Sequence, residues 1–522
     1  MRTHCVVLVA SALAWGGRAS AQPVPGITEW PCVQGSAARS GARPYALTLE
    51  PVRWTLSHLP GGEAISFIGP SAPVGAEGRI YVLARVGGAA RVLCVDASDG
   101  SVVWVRPAPS IVLDSWASPA IDLESGVLVV GAGTRMLGYR LDDGEEAWEL
   151  VLPAPVVNAS PAITGDRGKR RAFVTDYGGF GSVSRLWCIN LSPREGSRNP
   201  FDPGEAVWSV EIGSASGSSP AAAGGVVVVA TTGLDGVGIG ELLAFDAAAE
   251  EPPVERWRRA NPEWHGFYGG VTLAYRPEGL AAYAGSYAFS GGVLSANLVK
   301  VRVDDGALMW SVPSNRTSST PVVLDDGRVV LSGGLWGFGT VPSVQCYVDH
   351  GLSASLVWDS ALDSWVDANL NGRLDAGEFM VAGGWTHHPL VTGSGGHARL
   401  LSGRMGQGST TGAAYTHLVV LDLGVTPDAA GFATIFEGGG GPCAVLGRGV
   451  YTIGPEGLTA RGPGPGEPDV NGDGRRDVED LISWHRGEGS LDVDRSGAVN
   501  AGDVELLEFE LRRNERFELR RR

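Results

Sequence analysis

Methionine and charge are both scarce in this chain of 522 residues, which has 5 Met and only 19% Asp, Glu, Lys and Arg. That composition excludes long charged helices as the dominant architecture. Beyond the N-terminal stretch no run of about 18 apolar residues occurs, so no transmembrane anchor is expected there. The formal charge is −16. Nucleic acid, which is bound by clustered Lys and Arg that displace counterions, is therefore not an expected partner. A soluble surface that attracts cations is. No two cysteines are adjacent, and no C-x-x-C-H, G-x-S-x-G, H-E-x-x-H or Walker sequence is present. Six Cys in so long a chain do not make a disulfide scaffold.

What is abundant is turn-forming and aromatic: 77 Gly, 32 Pro and 16 Trp. Frequent turns consume Gly and Pro, which points to β structure. At the N-terminus, Met1 and Arg2 give a short basic start, residues 5–15 an apolar run, and Ala19, Ser20 and Ala21 small residues at cleavage positions. Residues 1–21 therefore read as a signal peptide, and the protein as exported to the periplasm, the cell surface or the medium. No Cys follows the small residues, so a lipid anchor is not expected. Cleavage leaves Cys32, Cys94, Cys188, Cys346 and Cys443, an odd number that guarantees at least one thiol without an intramolecular partner.

One phrase returns along the chain: an apolar strand, an Asp, a Gly-containing turn, and a strand ending in Trp. It is clearest at residues 92–104 and 138–148, and looser copies end at Trp208, Trp257, Trp310 and Trp358; a seventh, at residues 417–436, ends in Phe436. A second phrase opens most units, as Ser118-Pro119, Ser160-Pro161, Ser219-Pro220, Thr320-Pro321 and His388-Pro389. Each unit holds about four short strands in roughly 44 to 60 residues, the repeat length of a propeller blade. Asp-Gly turns match hairpin twist. A Trp at a fixed place offers a flat face and an N–H that can dock on the next blade.

The pattern at Cys94, Asp96, Gly100 and Trp104 resembles the PQQ-like repeat of quinoprotein dehydrogenases and of the BamB-type propeller of the outer-membrane barrel assembly machinery. Trp30, Pro31, Gly35, Arg39 and Gly41 resemble the opening of many exported members. The resemblance covers residues 28–461 and implies an all-β, eight-bladed β-propeller at residues 22–461, with seven blades as the fallback. The eighth blade would join residues 441–462 to the early strand 51–56, which carries Trp54. Closing the ring in this way leaves no open sheet edge. Cys94, Cys188 and Cys346 should then lie far apart, buried and reduced, with Cys32 and Cys443 the one pair to examine for a disulfide.

After a Gly/Pro linker at residues 462–468 the composition changes. Calcium needs oxygen ligands at alternating positions of a twelve-residue loop, with Gly sixth for the sharp turn. Asp469, Asn471, Asp473, the carbonyl of Arg475, Asp477 and Asp480 fill those places around Gly474. Asp492, Asp494, Ser496, the carbonyl of Ala498, Asn500 and Asp503 fill them again 23 residues later, around Gly497. The spacing leaves room for one helix after each loop, marked by Leu481, Ile482 and Trp484 and by Val504, Leu506, Leu507 and Phe509. Residues 469–514 therefore resemble a type I dockerin, a small α-helical, EF-hand-like domain that bound calcium would stabilise. Its implied partner is a cohesin-like protein, met at positions matched here by Val478, Glu479, Ala501 and Gly502. The basic tail 515–522 follows.

A third loop lies inside the propeller. Asp367, Asn369, Asn371, the carbonyl of Arg373, Asp375 and Glu378 match the full EF-hand spacing around Gly372. It reads as a calcium-stapled insertion at residues 367–378.

No catalytic set emerges. The resemblance to quinoprotein dehydrogenases implies PQQ in the propeller centre beside calcium, with an adjacent Cys pair and an Asp base; lacking the Cys pair, the chain disfavours PQQ. Trp385, His387 and His388 occupy the place of the Ser-Pro phrase, and Trp264, His265 and Tyr268 read as a packed loop between blades. The leading expectation is a non-catalytic exported propeller that binds a protein partner or an extracellular polysaccharide, tethered through the dockerin-like module. A secreted polysaccharide-active enzyme and a PQQ-dependent dehydrogenase-like protein are the alternatives.

Overall fold

The computed structural model describes residues 29–67, 70–111, 115–165, 169–179, 181–214, 217–233, 238–407 and 415–462, with Ile482, His485 and Val504 beyond them. Those last three residues are helical; the loops from Asp469 to Asp480 and from Asp492 to Asp503, the signal segment and the basic tail lie outside the described residues.

The repeated phrase folds as a radial sheet, and eight sheets close into a ring. Blade 1 comprises Val74–Ala76, Arg79–Val86, Ala89–Asp96 and Val102–Pro107, with Ile65–Phe67 added against its second strand. Blade 2 has Ala120–Asp122, Val127–Arg140 and Glu146–Val156, its middle element replacing two strands. Blades 3 and 4 run from Ala162–Thr164 to Ala206–Gly213 and from Ala221–Ala223 to Trp257–His265. Blades 5 and 6 run from Thr272–Arg276 to Leu308–Ser314 and from Val322–Val323 to Ala354–Asp359. Blade 7 runs from Leu390–Thr392 to Ala433–Glu437. Blade 8 joins the two parts of the chain: Cys443–Leu446, Gly449–Gly454 and Gly457–Arg461 pair with Val52–Leu56, in the register Thr55↔Thr459. The eight-bladed, velcro-like closure expected from residues 441–462 and 51–56 is what the fold contains.

Position in the blade explains the strand compositions. Innermost strands are short and Ala- or Val-rich, and Ala120–Asp122 and Val322–Val323 are buried throughout because small side chains let eight strands crowd one axis. Outermost strands meet solvent along one side. Trp257–His265 buries Trp257 and Trp264 and exposes Arg258, Ala260, Pro262, Glu263 and His265.

Neighbouring blades are fastened by the Gly and Trp of the repeat acting together. The indole N–H of Trp54 donates to Ala97 O of the next blade at 3.2 Å, Trp104 to Leu141 O at 3.1 Å, Trp208 to Ala249 O at 2.9 Å and Trp257 to Val303 O at 2.6 Å. Indole rings of the repeat also lie flat on glycines of the following blade. A Cβ on Gly100, Gly144, Gly204 or Gly306 would stand 2.6 Å from Trp54, Trp104, Trp148 or Trp257 respectively. These glycines have φ between 67° and 83°, a conformation that disfavours any side chain. Where the Trp is lost, at Phe436, the cation Arg461 of blade 8 lies 5.4 Å from the ring instead. Gly306→Ala combines left-handed strain with a collision, and is expected to cost about 2 kcal/mol in chemical denaturation.

The five cysteines among the described residues are free and buried, Cys32 and Cys443 included. Burial pushes the thiols of Cys94, Cys346 and Cys443 up to about 12, which makes them poor nucleophiles at neutral pH.

Candidate functional site

The axis of the ring is filled from one mouth by residues 30–43. Trp30 exchanges backbone hydrogen bonds with Gly75 of blade 1 at 2.9 Å, and Pro31 O accepts from Ile121 of blade 2 at 2.7 Å. Ala37 O accepts from Ala222 of blade 4, Ala38 O from Leu273 of blade 5 and Gly41 O from Val391 of blade 7, each at 2.8 Å. Arg39, with no exposed surface, stands at the centre. Its guanidinium donates to Val33 O at 3.1 Å, Ser160 O at 2.7 Å, Pro161 O at 3.0 Å and Pro220 O at 3.1 Å. One side chain thus ties the plug to blades 3 and 4.

Above Arg39, the Ser-Pro phrase forms a chain of hydrogen bonds around the axis. Ser118 Oγ accepts from Ala72 N at 2.8 Å, Ser160 Oγ from Ser118 N and Ser219 Oγ from Ser160 N, both at 2.9 Å. In blade 7 the same place is taken by His388, whose Nδ1 accepts from Thr320 N at 3.3 Å. Burial lowers His387 to about 4, and burial with the nearby His387 and Arg39 lowers His388 to about 3. Both imidazoles are neutral at physiological pH. They are strand lead-in residues, as their place in the Ser-Pro phrase implied.

At the opposite mouth, loops of blades 2 and 7 reach towards each other, and Trp116 meets Trp385 edge to face at 5.6 Å. Trp385 continues to Tyr287 at 5.5 Å, and Tyr287 to Phe289 at 5.1 Å. Tyr268 packs on Tyr287 at 5.8 Å and on Phe289 at 5.7 Å. Trp264 is buried in the outermost strand of blade 4 and meets Phe267 at 5.8 Å, while His265 beside it is exposed, so Trp264 and His265 end a strand rather than forming the packed loop expected of that segment. Sequence reasoning singled out Trp385 and Tyr268 but missed Trp116, which leads into blade 2, and Tyr287 and Phe289, which share one loop of blade 5; none of the three belongs to a motif.

The insertion between blades 6 and 7 stands on this same face. Its base is held by the buried carboxylate of Asp359, which accepts from Ala361 N at 2.8 Å, Leu362 N at 3.1 Å, Ser343 Oγ at 3.0 Å and Gln345 Nε2 at 2.9 Å. Phe379 and Val381 pack with Val293 and Val341 of blades 5 and 6. Within the loop, Asp367 accepts from Asn371 N at 3.0 Å and Gly372 N at 2.9 Å, and Glu378 from Ala368 N at 3.1 Å and Asn369 N at 3.2 Å. Asp375 accepts from the side-chain amides of Asn369 at 2.8 Å and Asn371 at 2.6 Å, and these hydrogen bonds lower its carboxyl. Asp367, Asn369, Asn371, Asp375 and Glu378 are thus drawn into one loop, with the Arg373 carbonyl accepting from Asp375 N at 3.0 Å. Among the described residues no group of three or more His, Cys, Asp and Glu side chains is arranged to hold a metal ion.

Residues 52–248 match the model of a family described as outer membrane protein assembly factor BamB. The matched part of the ring is PQQ-like. No curated protein matches the chain. Among solved structures, a europium-containing methanol dehydrogenase is similar at 11% identity and a TM-score of 0.51, over 93% of this chain and 95% of that one. BamB from Moraxella catarrhalis is similar at 16% identity and a TM-score of 0.46, over 80% of this chain and 97% of that one. At these identities the likeness concerns the fold alone. No helix among the described residues is long and apolar enough to cross a membrane.

The cysteines are dispersed over the plug and blades 1, 3, 6 and 8 rather than adjacent. The fully buried guanidiniums Arg39 and Arg316 are engaged by main-chain carbonyls.

Proposed function

We propose that the protein is an exported, non-catalytic propeller that binds a partner over its loop-bearing face and is tethered through a calcium-dependent, dockerin-like module. The observation that carries this reading is the axis itself, plugged at one mouth by residues 30–43 and bridged at the other by Trp116 and Trp385. A propeller whose axis is filled with its own side chains presents its loops, rather than a central pocket, to a partner. The aromatic cluster and the insertion both stand on that loop face. A cohesin-like protein is the partner considered for the module, and a protein or an extracellular polysaccharide the partner for the ring.

The reading is tested by calcium titration of the full chain together with turnover assays. About three ions are expected, two of them lost in Asp469→Ala/Asp492→Ala and one in Asp367→Ala/Glu378→Ala, with affinities on the order of 10⁻⁴ M for an exported module. Failure to take up calcium would remove the tether. Sustained oxidation of alcohols with an added electron acceptor, or release of reducing ends from polysaccharides, would overturn the non-catalytic reading.

A further inference from the structure

We infer that the protein is a bridge, with its tether on the plug-mouth face of the ring and the loop face left open to a second partner. This rests on the proposed reading of both regions and adds how they are disposed. The direction of blade 8 carries the inference. Its turn stands on the loop face, where Ile453, Gly454, Pro455 and Gly457 line one cavity together with Tyr415. Tyr415 packs with Met405 and Leu335, beside Tyr287 and Trp385 of the aromatic cluster. From that turn the strand Gly457–Arg461 runs through the ring towards the other face.

The other face is marked by the segment that leaves the plug. Arg43 pairs in parallel with Thr392 of blade 7, and Tyr45 O then accepts from Gly393 N at 2.9 Å. Tyr45 OH donates to Gly447 O of blade 8 at 3.2 Å, and Arg448 donates to Ala46 O at 2.9 Å. Gly462 emerges against this same segment. Its N–H donates to Pro51 O at 3.0 Å, and a Cβ there would stand 2.3 Å from Thr48 O. The chain therefore leaves the ring at the plug mouth, opposite Trp116 and Trp385.

Length then confines the tether. Only residues 463–468 separate Gly462 from Asp469, and six residues span at most about 22 Å when fully extended. The five residues Gly457–Arg461 already account for about 17 Å of depth. A linker turned back along the rim is used up at about the level of the loop face. Asp469 cannot reach the rings of Tyr287 and Phe289, which belong to blade 5, three blades away. The module therefore neither covers the loop face nor competes for it. A partner of the module approaches from the plug-mouth side, and the ligand of the loops from the other, so both are held at once.

Distances between paired nitroxide spin labels test this in the full chain. The five cysteines among the described residues are buried, so introduced surface thiols take the label selectively. Ser490→Cys, between the two calcium loops of the module, is combined with Ser98→Cys or with Ser290→Cys. Ser98 is exposed on the blade 1 turn, where its carbonyl accepts from Arg53 at 3.0 Å beside the exit of the chain. Ser290 is exposed next to Phe289 on the loop face. The distance from Ser490 to Ser98 is expected to be shorter than that to Ser290 by about 20 Å, the depth of the ring. Equal distances, or a shorter one to Ser290, would overturn the inference. The same order is expected with calcium and with chelator, because strand direction and linker length do not depend on the ion. A reversal on chelation would overturn it too. Calcium uptake is measured separately on the unlabelled chain, so its loss would remove the calcium-dependent tether and leave the order of distances as expected.

Discussion

Replacing Arg39 with Ala is expected to lower the stability of the ring by about 4–5 kcal/mol, near the upper end for a single substitution. The guanidinium makes four hydrogen bonds to carbonyls in a site without solvent. Truncation leaves those acceptors unmet, and each unmet buried group costs about 1–3 kcal/mol. Arg39→Lys should recover less than half of the loss, because an ammonium cannot reproduce the planar fork. Denaturant titration gives the magnitude, and hydrogen exchange over residues 30–43 locates it. A loss below about 1 kcal/mol would mean that the plug is held by its backbone contacts alone.

Asp349→Ala is expected to cost about 3–5 kcal/mol, because a buried cation loses its one buried carboxylate partner and two further buried donors lose their acceptor. Lys300, with no exposed surface, donates to Asp349 Oδ2 at 2.8 Å and also pairs with Glu278. Tyr283 OH donates to the same carboxylate at 2.7 Å, and Trp310 Nε1 at 3.0 Å. This is the blade 5 to blade 6 version of the indole dock, with a carboxylate in place of a carbonyl. Burial raises the Asp349 carboxyl, but hydrogen bonds from Lys300, Tyr283 and Trp310 outweigh it and hold the group below its ordinary value. Glu278 is lowered as well, burial being outweighed by its hydrogen bond from Lys300. A depressed folded-state value contributes stability above the unfolded value, about 4, and loses it as pH falls through the folded one. Wild-type stability should therefore fall between about pH 5 and pH 3, and Asp349→Asn should flatten that slope. An unchanged slope would show that other carboxylates govern acid unfolding.

The blade repeat was legible because its chemistry is local. Asp96, Gly100 and Trp104 recur at fixed spacing, and the glycine conformation and indole dock they imply are present in the ring. Ring closure through Trp54 was legible for the same reason, since a lone outer strand at one end and three inner strands at the other complete one blade. The segment Asp367–Glu378 stood out by its Asp, Asn and Glu spacing, whereas the packing of the insertion's Phe379 and Val381 against Val293 and Val341 had no sequence signal.

Local periodicity thus determined the strands, the turns and the number of blades, because each depends on residues a few positions apart. Only the tertiary structure decided what fills the axis and what the loop face presents. Arg39 meets carbonyls more than 120 positions away, and Trp116 meets Trp385 across the ring. Such contacts arise when eight similar units close around one axis, and nothing in any single unit encodes which side chains will then be neighbours.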